Sequence, residues 1–282
     1  EWPLLFPMVK SSVRAMDAIQ EFVQQILHAP IDGFIVAGAS KRGWTTWLTA
    51  AMDHRVVGIF SIVFDALNFQ EQLIKHKETY NGFSPALRDY TKLNVLERLI
   101  LPMGNPLIEL VDPLNYITQL QIPKFMVMAT GDEFWTVDAS SLYYDKLLGD
   151  KYLYYEPNSG HGLPNSEQII WNFVNFYTKT IQNKKLPQLT WEFSNEGHWQ
   201  LQSSKKPRTV QIWKAHSNTK DFRNGPQAPR WTSTLHNDLD QIYGKLSIPE
   251  GKVTAFYIEA TFAGLLRPYK LTTEIKVIDK RK

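Results

Sequence analysis

The sequence contains no cysteine among its 282 residues. This absence excludes disulfide bonds, thiolate-bound zinc and a cysteine nucleophile, but it does not decide the compartment in which the protein works. No histidine pair has ligand spacing and the carboxylates are dispersed, so we expect no metal site and no cofactor. Charge of one sign is also lacking, since 31 basic and 28 acidic residues give a formal net charge of +3. Without a basic stripe or a nucleic-acid motif, we expect no nucleic-acid partner.

Long apolar runs are missing as well. No stretch of 18 uncharged apolar residues occurs, so the sequence predicts no membrane span. The chain begins with Glu1, and its first residues, EWPLLFPMV, lack the basic region of a signal peptide. We therefore expect the sequence to be the C-terminal part of a longer protein, with any targeting segment upstream. Hydrophobic residues make up 43% of the chain, which indicates a globular protein, and a length of 282 residues favours more than one domain.

Four short apolar segments without polar alternation are typical of strands covered on both faces. They are GFIVAGA (33–39), VVGIFSIVFD (56–65), KFMVMAT (124–130) and KYLYYEP (151–157). Apolar periodicity predicts helices at 8–27, 41–52, 139–148 and 166–181, while 68–120 reads as mixed helix and loop. Strands that alternate with helices predict an α/β core with a mostly parallel sheet over residues 1–184, and its catalytic loops follow the strands' carboxyl ends.

The pattern changes at NKKLPQ, residues 183–188. Short, alternating and aromatic-rich segments follow, separated by turn residues, and they predict an antiparallel β-sandwich domain over 188–282. Trp199, Trp213 and Trp231 in this region are candidate contacts for a receptor or a glycan, with burial in the sandwich core as the alternative.

The segment VAGASKRGWTTW (36–47) places Ser40 between a predicted strand and a predicted helix. A nucleophile on such a turn has a strained backbone and needs small neighbours, and Gly38 meets this need. The usual motif has its second glycine at position 42, where this sequence has Arg42, and Gly43 follows one residue later. Serine is also a favoured helix N-cap, so this segment alone leaves the role of Ser40 open.

Two further segments favour the nucleophile. Asp132 follows the third strand in MATGDEFWTVD, and His161 lies between glycines after the fourth strand in YYEPNSGHGLP. The order serine, aspartate, histidine, each on a loop after a separate parallel strand, is that of the α/β-hydrolases. In that chemistry the imidazole takes the serine proton and the carboxylate orients the imidazole. Asp65 and Asp138 are alternative candidates for the acid.

Neighbouring residues supply the remaining candidates. The backbone N–H of Lys41 can stabilise an oxyanion. Trp44 and Trp135 are candidates for the pocket wall, whereas Trp47 is expected in the core. Arg42 is expected either to pair with a carboxylate and hold the turn or to contact the substrate.

Several long motifs carry a resemblance to a known family. They include WPLLFPMVKSSVRAMDAI, GASKRGWTTWLTAAMDHRVVGI, ATGDEFWTVDASSLYYDKLLGDKYLYYEPNSGHGL and VQIWKAHSNTKDFR. The chain resembles the PhoPQ-activated pathogenicity-related protein family over almost its whole length. The resemblance implies an α/β-hydrolase core related to serine peptidases of the dipeptidyl-peptidase kind, with Ser40, Asp132 and His161 at the triad positions. It also implies a secreted protein, since members are typically secreted and one is an extracellular signal that slows proliferation.

These observations lead to an expected function. We expect a secreted serine hydrolase, a peptidase of aminopeptidase or dipeptidyl-peptidase type acting on a peptide or ester substrate. The alternatives are a carbohydrate esterase, and a secreted signalling protein with a vestigial triad that binds a cell-surface receptor. One departure from the fold is visible: only residues 1–32 precede the first predicted strand, so the second oxyanion amide of α/β-hydrolases has no visible source in this sequence. We expect a C-terminal fragment of a longer protein, and the alternative is a truncated hydrolase with impaired catalysis.

Overall fold

The computed structural model describes residues 3–164 and 167–281. Its first part is a four-stranded parallel sheet in the order β1-β2-β3-β4, with β1 Phe34–Ala39, β2 Val56–Ile62, β3 Lys124–Ala129 and β4 Lys151–Glu156. The helices are α1 Leu5–Leu27, α2 Lys41–Met52, α3 Phe69–Tyr80, α4 Arg88–Thr91, α5 Val95–Ile100, α6 Asn105–Val111 and α7 Glu167–Ile181. β3 is buried along its whole length, because parallel sheets of this kind are covered on both faces.

The predicted strands and most predicted helices are present, with differences at the end of β2, at 139–148 and at the start of α1, which is Leu5 rather than residue 8. β2 ends at Ile62 rather than at residue 65, because Val63 has a positive φ of 44° that a strand cannot accommodate. The predicted helix at 139–148 is wrong: the chain forms two 3₁₀ turns there, Ala139–Leu142 and Tyr144–Lys146. The start of the last predicted helix, residue 166, lies outside the described residues.

Core contacts explain the loss of a regular helix at 139–148. The Ser140 hydroxyl is 2.9 Å from the Tyr155 hydroxyl, and the Tyr143 hydroxyl donates to Asp65 Oδ1 at 2.6 Å. Tyr143 lies between the two turns with φ −144° and ψ −19°, so the chain leaves the helical path there while both hydroxyls reach buried partners. Helix propensity is a weak influence beside such contacts.

Two antiparallel sheets form the second part of the chain. Their strands are β5 Leu189–Phe193, β6 His198–Ser203, β7 Thr209–Ser217, β8 Thr232–His236, β9 Tyr243–Lys245, β10 Val253–Phe262, β11 Tyr269–Thr272 and β12 Lys276–Asp279. One sheet has the order β11-β10-β7-β8 with β12 also paired to β10, and the other has the order β5-β6-β9. Phe193 of β5 packs edge-on against Phe256 of β10 with ring centroids 4.9 Å apart, so the sheets face each other as predicted for a sandwich.

The tryptophans of the sandwich are core residues rather than surface contacts. Trp199 and Trp231 are buried, and the partly buried Trp213 stacks on Tyr257 at 6.3 Å. Trp199 and Trp231 therefore pack in the core, which was the alternative to a receptor or glycan contact, and one face of Trp213 is covered by Tyr257.

The parallel sheet and the antiparallel sheets share their buried side chains. Tyr155 of β4 packs against Tyr257 of β10 at 5.7 Å, and both belong to one continuous hydrophobic cluster. The boundary predicted at residues 184–188 stays a prediction, although the chain direction and strand type do change there. Within residues 3–164 and 167–281, no helix combines the length and apolar character that crossing a bilayer requires.

Candidate active site

Ser40 occupies a strained turn between β1 and α2. Its backbone has φ 56° and ψ −124°, a conformation that L-residues rarely adopt. The turn is held by two hydrogen bonds, since Ser40 N–H donates to the Ile62 carbonyl at 2.8 Å and the Ser40 carbonyl accepts from Trp44 N–H at 3.0 Å. The Ser40 side chain caps no backbone amide of α2, so the helix-cap interpretation does not describe its hydroxyl.

Two glycines make this turn possible. A Cβ at Gly38 would lie 2.4 Å from the Arg42 carbonyl oxygen, well inside contact distance. A Cβ at Gly43 would lie 2.9 Å from the Phe64 Cβ and 3.1 Å from the Gly38 carbonyl oxygen. Gly43 therefore allows α2 to pack closely against the strands, although it stands one residue later than the glycine of the usual motif.

The structure brings the three predicted polar residues together. His161 Nε2 is 2.8 Å from Ser40 Oγ, and His161 Nδ1 is 2.9 Å from Asp132 Oδ2. With Nδ1–H donating to the carboxylate, Nε2 is the acceptor for the serine O–H. This arrangement can transfer the serine proton to the imidazole while the carboxylate stabilises the imidazolium.

The surroundings of the acid and the base fix their orientation. Asp132 is buried and accepts a second hydrogen bond from Phe134 N–H at 2.8 Å. Burial raises the pKa of Asp132, and the hydrogen bond from His161 opposes that rise. The His161 backbone N–H donates to Glu133 Oε2 at 2.7 Å, and the Phe134 ring lies 4.3 Å from the imidazole. Sequence reasoning gave Glu133 and Phe134 no role, since only the folded loop shows them beside the imidazole.

The two alternative acids have other partners. Asp65 is buried and accepts a hydrogen bond from the Tyr143 hydroxyl. Asp138 forms an ion pair with Lys75 at 2.8 Å and caps no amide of the following turn. Asp132 is thus the carboxylate that the fold places on the imidazole.

An apolar cavity of about 240 Å³ opens beside Ser40. Trp44 and Trp135 both line it, together with Lys41 and His161. Trp44 is fixed by a hydrogen bond from its Nε1–H to the Val111 carbonyl and by stacking on Phe64 at 5.2 Å. Trp47, by contrast, is fully buried in the core, as the sequence predicts.

Lys41 and Arg42 follow Ser40 at the start of α2, and both side chains are exposed. The Lys41 amide belongs to the first turn of the helix, where backbone N–H groups can receive negative charge. Arg42 does not line the cavity and forms no ion pair with any carboxylate in the described part of the chain, so its expected structural partner is not found.

A loop from the second part of the chain supports the site. It joins β7 to β8, and the Asn224 N–H donates to the Gly131 carbonyl at 2.7 Å, beside Asp132. The side chain of Asn158 exchanges two hydrogen bonds with the backbone of Trp231, at 3.0 and 2.8 Å. The sequence carried no signal for this support, because the partners lie about seventy residues apart.

No group of three or more metal-binding side chains occurs among residues 3–164 and 167–281. The candidate site therefore consists of a hydroxyl, an imidazole and a carboxylate on loops that follow three parallel strands. Together with the strained serine turn, this topology is that of the α/β-hydrolase fold.

Comparison with known sequences agrees with the resemblance. Residues 1–223 match the sequence model of the family described as PhoPQ-activated pathogenicity-related protein. The chain belongs to this family. It is 33% identical over 236 residues to autocrine proliferation repressor protein A of Dictyostelium discoideum, an alignment that covers 79% of this chain and 48% of that relative. The chain thus spans about half the length of the curated relative it matches.

Solved structures with partial similarity include two hydrolases. An acetyl xylan esterase from Paenibacillus sp. R4 matches with a TM-score of 0.44 and 19% identity, over 59% of this chain and 51% of its own. The acylaminoacyl peptidase of Pyrococcus horikoshii matches with a TM-score of 0.45 and 16% identity, over 61% of this chain and 28% of its own. The strand topology and the strained turn at Ser40 identify the fold independently of these matches.

Proposed function

We propose that this protein is a serine hydrolase that cleaves an ester or peptide bond by acyl transfer. One observation carries the proposal: Ser40 Oγ lies 2.8 Å from His161 Nε2 on a strained turn, while Asp132 holds the other imidazole nitrogen. Ser40 attacks the carbonyl carbon, His161 takes its proton and gives it to the leaving group, and water then hydrolyses the acyl-enzyme by the same route. The Lys41 N–H is the proposed donor to the oxyanion.

Labelling with a fluorophosphonate tests this role, since such probes react with activated serines. We expect the wild-type protein and an exposed-serine control, Ser141→Ala, to be labelled, and Ser40→Ala to remain unlabelled. Hydrolysis by Ser40→Ala should fall by about 10⁶-fold, the loss typical for removing a triad nucleophile. Equal labelling of Ser40→Ala, or no labelling of the wild-type protein, would end the proposal.

Within this class we propose a peptidase, with a carbohydrate esterase as its rival. The family resemblance supports the peptidase, and the largely apolar cavity of about 240 Å³ beside Ser40 suits an apolar side chain of a peptide better than the small acetyl group of an acetylated sugar. Aminoacyl and dipeptidyl p-nitroanilides, compared with acetylated xylo-oligosaccharides, separate the two. Turnover of the acetylated sugars alone would reverse the assignment.

A role as an extracellular signal is proposed on a separate observation. The curated relative is named an autocrine proliferation repressor, and it is 33% identical to this chain. We propose that this protein is secreted and slows proliferation of the cells that make it, through a cell-surface receptor or through hydrolysis of a surface substrate. Adding purified wild-type or Ser40→Ala protein to growing cells separates these routes. Full repression by Ser40→Ala would show that the signal does not need the hydroxyl, and no repression by either protein would contradict the role.

A further inference from the structure

The cavity beside Ser40 has a buried floor and an exposed rim. The segment between β2 and β3, which carries α3 to α6, forms much of its wall. The floor consists of buried apolar side chains: Phe64, Phe69, Leu73, Leu87, Leu96 and Leu99. Exposed Leu4, Lys41, Tyr90 and Leu107 lie on the wall as well and form its rim. A group that enters from solvent can therefore reach the floor while it remains beside the Ser40 hydroxyl.

Few polar side chains line the cavity. Among the described residues of its wall, Ser40, Lys41, Tyr90 and His161 carry side-chain polar atoms besides the two tryptophan rings. The Trp44 N–H is already used by the Val111 carbonyl. The described residues of the wall include no carboxylate that could pair with an ammonium group inside the cavity. An occupant with charges or several hydroxyls would lose its hydration without replacement, which costs several kcal/mol per buried group in apolar surroundings.

The volume limits the size of the occupant. An apolar cavity of about 150 Å³ binds a benzene molecule, so about 240 Å³ suits an apolar group about half as large again. An acetyl group would leave most of the cavity empty, and a palmitoyl chain would exceed it. The volume suits an apolar chain of about six to eight carbons, or a side chain of the size of phenylalanine.

We infer that this cavity binds the acyl side of the substrate, and that it holds an apolar portion of that side, a chain or side chain of about eight carbons. The inference rests on the proposed serine-hydrolase function. The acyl group stays attached to Ser40 Oγ through both half-reactions, whereas the leaving group must depart before water attacks. A cavity with a buried apolar floor beside the nucleophile suits the part that stays.

The chemistry follows directly from this placement. The bond from Ser40 Oγ to the acyl carbon forms as the bond to the leaving oxygen or nitrogen breaks, and His161 carries the proton between them. Water then adds to the acyl carbon, Ser40 recovers its proton through His161, and the apolar carboxylic acid is released.

Two ester series test the placement on the purified protein. In p-nitrophenyl acetate, butyrate, octanoate and palmitate the leaving group is constant and the acyl chain varies. We expect kcat/KM to rise about fourfold per methylene to octanoate, which corresponds to about 0.8 kcal/mol each, and to fall for palmitate. In ethyl, butyl and octyl acetate, where the alcohol varies, we expect little change.

A matched pair on α6 ties the preference to the cavity. Leu107 lines the cavity, and Leu110, one turn later on the same helix, is exposed and does not. The ratio of octanoate to acetate turnover should drop at least tenfold in Leu107→Trp and remain that of the wild type in Leu110→Trp. A second variant, Leu96→Phe, narrows the floor and should shift the optimum to shorter chains.

The outcomes distinguish this inference from the function on which it rests. Intact fluorophosphonate labelling with a flat acyl series overturns the acyl cavity and leaves the serine hydrolase standing. A preference that follows the alcohol length assigns the cavity to the leaving group, which also overturns it. Absence of both labelling and hydrolysis refutes the hydrolase itself.

Discussion

Asp65 shows how burial alters a single carboxyl group near the site. It lies just beyond β2, accepts a hydrogen bond from the Tyr143 hydroxyl at 2.6 Å, and is buried. Burial raises the pKa of Asp65 to about 8, and the negative charges of Asp132, Glu274 and Asp138 add to the rise. Between pH 4 and 8 the folded protein therefore keeps a proton that the unfolded chain releases. The contribution of this protonated carboxyl to the free energy of unfolding is therefore largest below about pH 4. It decreases as the pH rises from 4 towards 8.

Replacing this carboxyl group should change the pH dependence of stability. Asp65→Asn cannot ionise and keeps an acceptor for Tyr143, so its free energy of unfolding should fall less between pH 4 and 8. The difference from wild type should grow by up to about 1.4 kcal/mol per pH unit across this window. Urea unfolding at several pH values measures it, with the exposed Asp89→Asn as control. Parallel curves for Asp65→Asn and wild type would contradict a raised pKa.

The glycines around His161 show what a residue pattern can and cannot predict. A histidine with a glycine on each side favours an exposed turn that allows close approach of other groups. A Cβ at Gly160 would lie 2.5 Å from Glu133 Oε1, but a Cβ at Gly162 would meet no atom of a described residue within 4 Å. The difference depends on where the Glu133 side chain lies after folding, and the sequence does not carry that information.

At the level of elements, the parallel strands could be predicted and the wall of the cavity could not. Unbroken apolar runs identify β1 to β4, and their order along the chain places the loops of Ser40, Asp132 and His161 at one edge. The segment 68–120 instead forms short helices whose apolar residues face a cavity shared with other elements. Short helices carry too few turns for a clear period, so their inward faces emerge only with the tertiary structure.

The loop between β7 and β8 gives an element-level prediction. Asn158 has a φ of 54° and binds the Trp231 backbone with both ends of its amide. Asn158→Gly accepts the same backbone conformation but loses both hydrogen bonds and leaves a part-buried Trp231 N–H without its partner. We expect a loss of about 1–3 kcal/mol in the free energy of unfolding, and a lower kcat because the histidine loop loosens.

Asn183→Gly is the matched control. Asn183 has a φ of 53°, nearly that of Asn158, and lies exposed after α7. Its replacement should leave both the urea midpoint and kcat close to those of wild type. Equal effects of the two substitutions would show that backbone freedom, and not the contact with Trp231, causes the change.

For the whole molecule, the shared core predicts that the two parts unfold together. Alternate residues of β10 contact different clusters: Ala255 and Tyr257 join the cluster that contains Tyr155, while Phe256 and Ile258 pack in the cluster with the β5–β6 sheet. The composition change at 183–188 suggested separate domains, because local patterns report strand type and not what a sheet face contacts. Burial on both faces of β10 makes the antiparallel sheets part of the support of the parallel one.

A substitution at Tyr257 tests whether the two parts unfold together. The described α-helices all lie within residues 5–181, outside the sheet that contains Tyr257, so the helical signal reports on the other part of the chain. Tyr257→Ala removes a fully buried ring that packs on Tyr155 and should cost about 3–5 kcal/mol. The helical circular dichroism signal should then disappear at a lower urea concentration, together with tryptophan fluorescence.

Tyr257→Phe should cost less than about 1 kcal/mol, since the hydroxyl finds no partner among the described residues. The exposed Tyr243→Ala should change neither signal. If Tyr257→Ala shifts fluorescence while the helical transition stays where it is in wild type, the sheets unfold independently and the shared core does not couple them.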